Sequence, residues 1–368
     1  MNDFYQYLET LMPLRQKQIK AAVFVNLIDK VENITTLSKF EREKIANELK
    51  LAPFEVRDEQ VSKDGSTKWA FVCEDGSVIE TVLLEFRDGR NTVCISSQVG
   101  CASGCLFCAT GQLGFKRNLS AWEIVSQVLF AARYLKNKYS TVLSSQPASS
   151  RGGIQAEMRD PSVPQDDTSK RGSRDKHLTN VVFMGMGEPL LNLNNVLQAI
   201  KELNDPAYFN LGRRHMTVST CGVIENLKKF IEADTGTTLA ISLHAPNQAL
   251  REKLMPVAKA HPLDQLIKVL DDFVRKNKKR VSYEYLLLDG INDSEKEALE
   301  LVKLFRGRLA FINLITFNPI NGSTFRSSSR EKANEFRAIL EKNGLEVTIR
   351  VSLGDEISAA CGQLAGKQ

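Results

Sequence analysis

No stretch of the 368-residue sequence approaches the ~20 apolar residues that cross a bilayer, so no membrane span is expected. The amino-terminal MNDFYQYLETLMPLRQKQ is mixed and charged and lacks the apolar run of a signal peptide, which makes the cytoplasm the expected compartment. Neither sign of charge dominates. The 49 Lys and Arg against 44 Asp and Glu leave a formal net charge of +5, which permits nucleic-acid binding without demanding it. Apolar residues are not scarce: 42% hydrophobic with 25% charged excludes collagen-like and wholly disordered chains. A disulfide framework is excluded too, because seven cysteines is an odd count in a long chain without a secretion signal. At roughly 150 residues per domain, the length suggests two or three domains.

Residues 1–55 read as a small helical accessory domain, in which the run from Thr35 to Glu41 can cap a helix continuing through EKIANELKL. Residues 56–91 form a hairpin region, since two alternating runs in KWAFVCEDGSVIETVLLEF flank Asp75-Gly76. From 92 to 352 strand and helix patterns alternate, with strands expected at 92–99, 179–185, 215–220, 238–244, 281–288, 312–318 and 347–352. The helical patterns between them include one opened by a Ser120–Glu123 capping box. Such alternation predicts an α/β fold, a parallel sheet with helices outside, as a barrel or open part-barrel of about six units. In that fold sites gather at the carboxyl ends of the strands. Residues 353–368 form a tail. Residues 140–177, with eight Ser and no Phe, Trp or Tyr, are expected to be a disordered insertion, because they bury too little to offset their ordering entropy.

The sharpest motif is Cys101-Ala-Ser-Gly-Cys105-Leu-Phe-Cys108, just after an expected strand. Three thiolates on a tight loop suit three irons of a [4Fe–4S] cluster and leave one iron open to a small molecule bearing an amine and a carboxylate. The alternative is a zinc site with Cys94 as fourth ligand. Zinc usually takes two separated Cys-x2-Cys pairs, which this compact triplet does not supply.

The triplet, with Phe107 before its last cysteine, resembles the signature of radical S-adenosylmethionine enzymes. VCISSQVGCASGCLFCATGQLGFKRNL, FMGMGEPLLN, STCGV, ISLHAP, FNPINGSTFR and GDEISAACGQLAG then occur in order over about 80–366. Together they are similar to the RlmN/Cfr family of radical S-adenosylmethionine RNA adenine methyltransferases. The resemblance implies a partial (βα)6 barrel of the triosephosphate isomerase type, with a [4Fe–4S] cluster on Cys101, Cys105 and Cys108. It assigns Gly187, Glu188, Ser219, Ser242, Leu243, His244 and Asn318 to S-adenosylmethionine. The residues alone say less. Gly185-Met186-Gly187-Glu188-Pro189 also fits an ordinary strand-to-helix turn, Ser and Asn at strand ends are commonly caps, and His244 alone is as readily a packed histidine as a ligand contact.

The resemblance further implies that Cys361 is methylated and carries the new carbon, that Cys94 later closes a transient disulfide with it, and that Glu80 accepts a proton. Taken alone, both cysteines read as small buried apolar residues and Glu80 as a surface charge on a hairpin. Cys73 and Cys221 match no catalytic place and are expected to be structural. Two molecules of S-adenosylmethionine would be used per turnover. The implied substrates are an adenosine of 23S rRNA near the peptidyl-transferase centre, methylated at carbon 2, and the adenosine beside the tRNA anticodon. An electron donor such as flavodoxin and a monomeric chain complete the picture. Lys228-Lys229, Lys276 to Arg280 and Arg213-Arg214 either meet phosphates or are solvated helix ends. Two rivals stay open: a carbon 8 methyltransferase of the same chemistry that confers antibiotic resistance, and a non-enzymatic, zinc-stabilised RNA-binding assembly factor.

Overall fold

A computed structural model describes residues 3–145, 178–350 and 353–366. Twelve strands are present among the described residues. β1 (Phe54–Val61), β2 (Thr67–Cys73), β3 (Val78–Glu85) and β4 (Asn91–Cys94) are joined by short turns, and each pairs antiparallel with the next. The Asp75-Gly76 turn forms as the sequence expects, with Asp75 Oδ1 accepting the Ser77 N–H at 3.0 Å. β5 (Gln98–Gly100) and β6 (Phe115–Asn118) make a separate two-stranded sheet. The remaining strands are β7 (Asn180–Phe183), β8 (Met216–Thr220), β9 (Thr238–Ser242), β10 (Val281–Leu287), β11 (Ala310–Thr316) and β12 (Glu346–Arg350). They continue from β4 as a parallel ladder in the order β4-β7-β8-β9-β10-β11-β12. Among the described residues β12 does not return to β1, so the barrel is open, as expected.

Apolar positions drive this arrangement. β10 is buried at every position but Ser282, as a strand with helices on its outer face requires. The helices Leu193–Asn204, Leu263–Asn277, Glu295–Phe305 and Arg330–Lys342 match the periodic segments and cover the sheet. The Ser120 capping box closes from both sides, with Ser120 N–H to Glu123 Oε2 at 2.8 Å and Glu123 N–H to Ser120 Oγ at 3.2 Å. The amino-terminal helices dock on that same helix, where Phe4 stacks on Trp122 with centroids 3.8 Å apart. Ser38 and Glu41 form the capping box of helix Lys39–Glu48. Among the described residues no helix is long and apolar enough to cross a membrane.

Two expectations need correction. The strand read at 92–99 is broken into β4 and β5, so Cys94 ends a strand of the main sheet while Cys101 follows β5 of the two-stranded one. Ser96 causes the break: its N–H goes to Gln127 Oε1 at 2.8 Å and its Oγ to the Glu80 carbonyl at 2.6 Å, in place of a continued ladder. The insertion read at 140–177 begins too early, because helix Ala121–Ser145 propagates its own hydrogen bonds past Tyr139. The rest of that segment lies outside the described residues. β1 was not anticipated, since its exposed edge position leaves no alternating pattern to read.

Candidate active site

The carboxyl ends of the parallel strands surround one cavity, and most of the residues singled out in the sequence converge there. Cys101, Cys105 and Cys108 line it from a loop fixed on several sides. Cys101 N–H donates to the Gly114 carbonyl at 3.0 Å, Leu106 N–H to Leu254 at 3.0 Å, and Cys108 N–H to Cys105 at 3.2 Å. Burial pushes all three thiols upward, Cys108 to about 11. Cys105 is raised first by burial and then by the neighbouring Cys108 and Cys101. The Ser103 N–H, 3.4 Å from Cys101 Sγ, works the other way and favours a thiolate. Among the described residues, no three His, Cys, Asp or Glu side chains are arranged to hold a single metal ion. Cys94, the fourth ligand of the zinc alternative, sits instead at the end of β4, close enough to Cys361 to feel its charge. The donor set therefore fits a multi-iron cluster, with one sulfur per iron, better than one tetrahedral zinc.

Opposite this loop, Gly185–Pro189 follows β7 and packs against residues 95–98. A Cβ on Gly185 would lie 2.7 Å from the Ile95 carbonyl, and one on Gly187 (φ +100°) 2.8 Å from the Gln98 nitrogen. Only glycine admits so close an approach at that φ. Glu188 is buried; its Oε1 accepts the Leu190 N–H at 3.0 Å and its Oε2 the Cys221 N–H at 2.8 Å, while burial raises its pKa. Ser219, one residue before the end of β8, and Ser242, the last residue of β9, bring their hydroxyls within 3.5 Å on the cavity wall. His244 is buried at φ +56° and edge-on to Phe107 at 4.8 Å. Burial, then the Arg251 charge, pushes its pKa down to about 3, so the ring is neutral. Its Nδ1 accepts the Leu286 N–H at 3.0 Å, which assigns the ring proton to Nε2. Leu243 does not line the cavity: it is fully buried and its N–H goes to the Glu284 carbonyl at 3.0 Å.

The tail closes one side. Ala109 N–H donates to the Gly362 carbonyl at 2.8 Å and Thr110 Oγ1 to the Leu364 carbonyl at 2.6 Å, so the cysteine loop itself seats the tail. Asn318 is a tail anchor here, its Nδ2 3.3 Å from the Cys361 carbonyl. Cys361 is exposed on the cavity wall yet closely surrounded by protein, which raises its thiol; Arg350 opposes the rise and Glu284 adds to it. Cys94 is raised to about 12 by burial and then by Cys361. All seven cysteines are free thiols, and the disulfide that the resemblance implies is not formed. Glu80 is buried rather than a surface charge. It pairs with buried Lys68 at 3.5 Å and accepts the Ala365 N–H at 2.8 Å, outside the cavity lining. Of the basic residues named above, Lys228 pairs with Glu225 and Arg280 with Glu346, surface pairs of the weak kind.

Three residues escaped sequence reading. Glu284 and Arg350 line the cavity, and Arg251 lies behind the cysteine loop. Glu284 had a signal, as the lone charge inside the apolar strand VSYEYLL; Arg350, the last residue of EVTIR, had none.

The radical SAM superfamily profile matches residues 95–302. The chain is 39% identical over 356 residues to the dual-specificity RNA methyltransferase RlmN of Alkalilimnicola ehrlichii, covering 96% of this chain and 88% of that protein. It is 41% identical over 311 residues to ribosomal RNA large subunit methyltransferase N of Nitrosopumilus maritimus, covering 83% and 78%. Among solved structures, a radical SAM methyltransferase from Sphaerobacter thermophilus superposes with a TM-score of 0.84 at 36% identity, over 99% of this chain and 96% of that one. The superfamily match implies an iron–sulfur cluster and S-adenosylmethionine, and the non-enzymatic assembly factor is set aside. The chain belongs to the RlmN family of radical S-adenosylmethionine RNA methyltransferases.

Proposed function

We propose that this chain methylates carbon 2 of an adenosine in 23S rRNA near the peptidyl-transferase centre, and of the adenosine 3′ to the anticodon in tRNA, with Cys361 as methyl carrier. The observation that carries this reading is the seating of Cys361 against the cysteine loop, beside Cys94, by hydrogen bonds from Ala109, Thr110 and Asn318. A non-enzymatic fold has no use for two such thiols in one cavity. The names of the relatives, one dual-specificity and one large-subunit ribosomal, support both RNA substrates. A splayed-out loop adenosine suits the cavity.

Carbon 2 of adenine is neither acidic nor nucleophilic, so displacement chemistry fails there. Cys101, Cys105 and Cys108 would hold the cluster, which together with S-adenosylmethionine would supply a carbon-centred radical able to take hydrogen from a methyl group. Gly187 and Glu188 are placed to hold the methionine ammonium, and Ser219, Ser242 and neutral His244 to orient the nucleoside. Cys361 attacks the first sulfonium as a thiolate, forming a thioether and releasing S-adenosylhomocysteine. Its methyl carbon, after losing hydrogen, bonds to the adenine ring. Glu80 then takes the ring proton; this requires Ala365 to leave the carboxylate, with Lys68 remaining as its counter-charge. The adduct, having lost that proton, gives up its unpaired electron, which the oxidised cluster would accept; Cys94, as a thiolate, then attacks the sulfur of Cys361, a disulfide forms, and the carbon leaves with the electron pair of the broken sulfur–carbon bond and takes a proton to become the methyl group. We take the chain to act as a monomer reduced by a donor such as flavodoxin.

Two thiolates are needed, and both thiols are raised by burial. Arg350 favours ionisation of both. Arg350→Met is therefore expected to move the pH profile of Cys361 methylation in the alkaline direction, read by intact-protein mass spectrometry across a pH series. An unmoved profile would remove Arg350 from this role. The regiochemistry is tested on rRNA and tRNA nucleosides after turnover: 2-methyladenosine is expected, and 8-methyladenosine without it would sink the proposed activity.

A further inference from the structure

Arg251, on helix Gln248–Leu254, is fully buried and forms no ion pair among the described residues. Its Nη2 donates to the Cys221 carbonyl at 2.5 Å and more weakly to Ser242 at 3.5 Å, and its Nη1 to His261 at 3.5 Å. Its Nε has no hydrogen-bond partner. A buried guanidinium stays charged, and a buried charge without a counter-ion is costly. Glu188 is not its partner: the carboxylate meets the Leu190 and Cys221 N–H groups and forms no ion pair with Arg251 among the described residues.

The surroundings name another anion. The helix of Arg251 is bonded to the cysteine loop, Leu106 N–H to the Leu254 carbonyl at 3.0 Å. Pro256 lies 3.7 Å from the Cβ position of Gly104. Cys221, whose carbonyl holds the guanidinium, places its Sγ 3.5 Å from Ser103 Oγ, between Cys101 and Cys105. Cys221 and Cys105 are the neighbouring groups whose ionised forms would favour the Arg251 charge, against the burial that disfavours it. We propose that Arg251 is the buried counter-charge of the cluster held by Cys101, Cys105 and Cys108, and that it sets the reduction potential. Each electron added makes the cluster more negative, so a fixed cation in a low-dielectric wall favours the reduced state. This rests on the cluster assignment above.

The test is a redox titration of the anaerobically reconstituted full chain, followed by electron paramagnetic resonance without S-adenosylmethionine, so that no contact with that ligand enters. Arg251→Gln keeps donors and loses the charge; Arg251→Lys keeps the charge and loses the fork. The Gln variant is expected to be at least tenfold harder to reduce, a shift of 59 mV or more for one electron, and the Lys variant to stay within threefold of the unsubstituted chain. Equal potentials for Gln and unsubstituted chain overturn the proposal, as does Lys falling as far as Gln. Loss of fold in both variants, scored by circular dichroism, makes Arg251 a framework residue and overturns it as well. An unsubstituted chain that takes up no iron and sulfide sinks the cluster assignment itself, and this role with it.

Discussion

Cys361→Ala should leave both protein and RNA unmethylated, while Cys94→Ala should stop with RNA held covalently on Cys361. The asymmetry follows from their chemistry. Cys361 is the exposed thiol on a tail seated by the cysteine loop, so it can meet two different molecules in turn. Cys94 sits at the end of β4, paired to Val82 and Val182, and has one neighbour to attack, Cys361. Removing the first leaves no carrier for the carbon; removing the second leaves no nucleophile to release it. Residues that act as a unit do not share a rate factor additively, so each loss should take turnover to background. The measurements are intact-protein mass for methylation at Cys361 and denaturing electrophoresis for the adduct. Cys73→Ala is the control: that thiol is buried among Glu123, Arg117 and Asp75, and turnover should persist. Multiple turnovers by the Cys361 variant would end the methyl-carrier reading.

Legibility differed by the range of the interactions concerned. Parallel strands and their helices announced themselves because burial on both faces leaves apolar runs, and both capping boxes are signals local in sequence. The cysteine triplet was legible for the same reason, its chemistry lying within eight residues. What failed was long-range. Nothing near Ser96 reveals that Gln127 and the Glu80 carbonyl will claim its hydrogen bonds and end β4 early. Glu80 reads as a surface charge until β2 brings Lys68 beside it and the tail brings Ala365. Leu243 and Asn318, which the resemblance assigns to S-adenosylmethionine, have surroundings that their strand-end positions do not reveal: one is packed inward and the other bonds the tail. Position along a strand limits where a side chain can go; packing by distant residues decides where it does go.

Gly187→Ala should weaken S-adenosylmethionine binding at least ~30-fold, a cost of about 2 kcal/mol, while iron and sulfide content stays unchanged. Two effects add at this residue. An alanine at φ +100° is strained by about 1–3 kcal/mol. Its methyl group would also stand 2.5 Å from Gln98 Cβ and 2.8 Å from the Gln98 nitrogen, distances that force backbone to move. Gln98 cannot simply rotate away, because its Oε1 accepts the Glu188 N–H at 2.8 Å and its Nε2 donates to Asn118. The displacement would thus pass directly to Glu188, the carboxylate expected to receive the ammonium. Gly290 separates the two effects: it has φ +68°, and a Cβ there meets nothing within 4 Å. Gly290→Ala should carry only the conformational strain and leave the ligand affinity within threefold. Calorimetric titration of both variants under anaerobic conditions reads the difference. If Gly187→Ala binds as tightly as Gly290→Ala, the loop does not touch the ligand, and the side chains assigned to S-adenosylmethionine must be sought elsewhere on the rim.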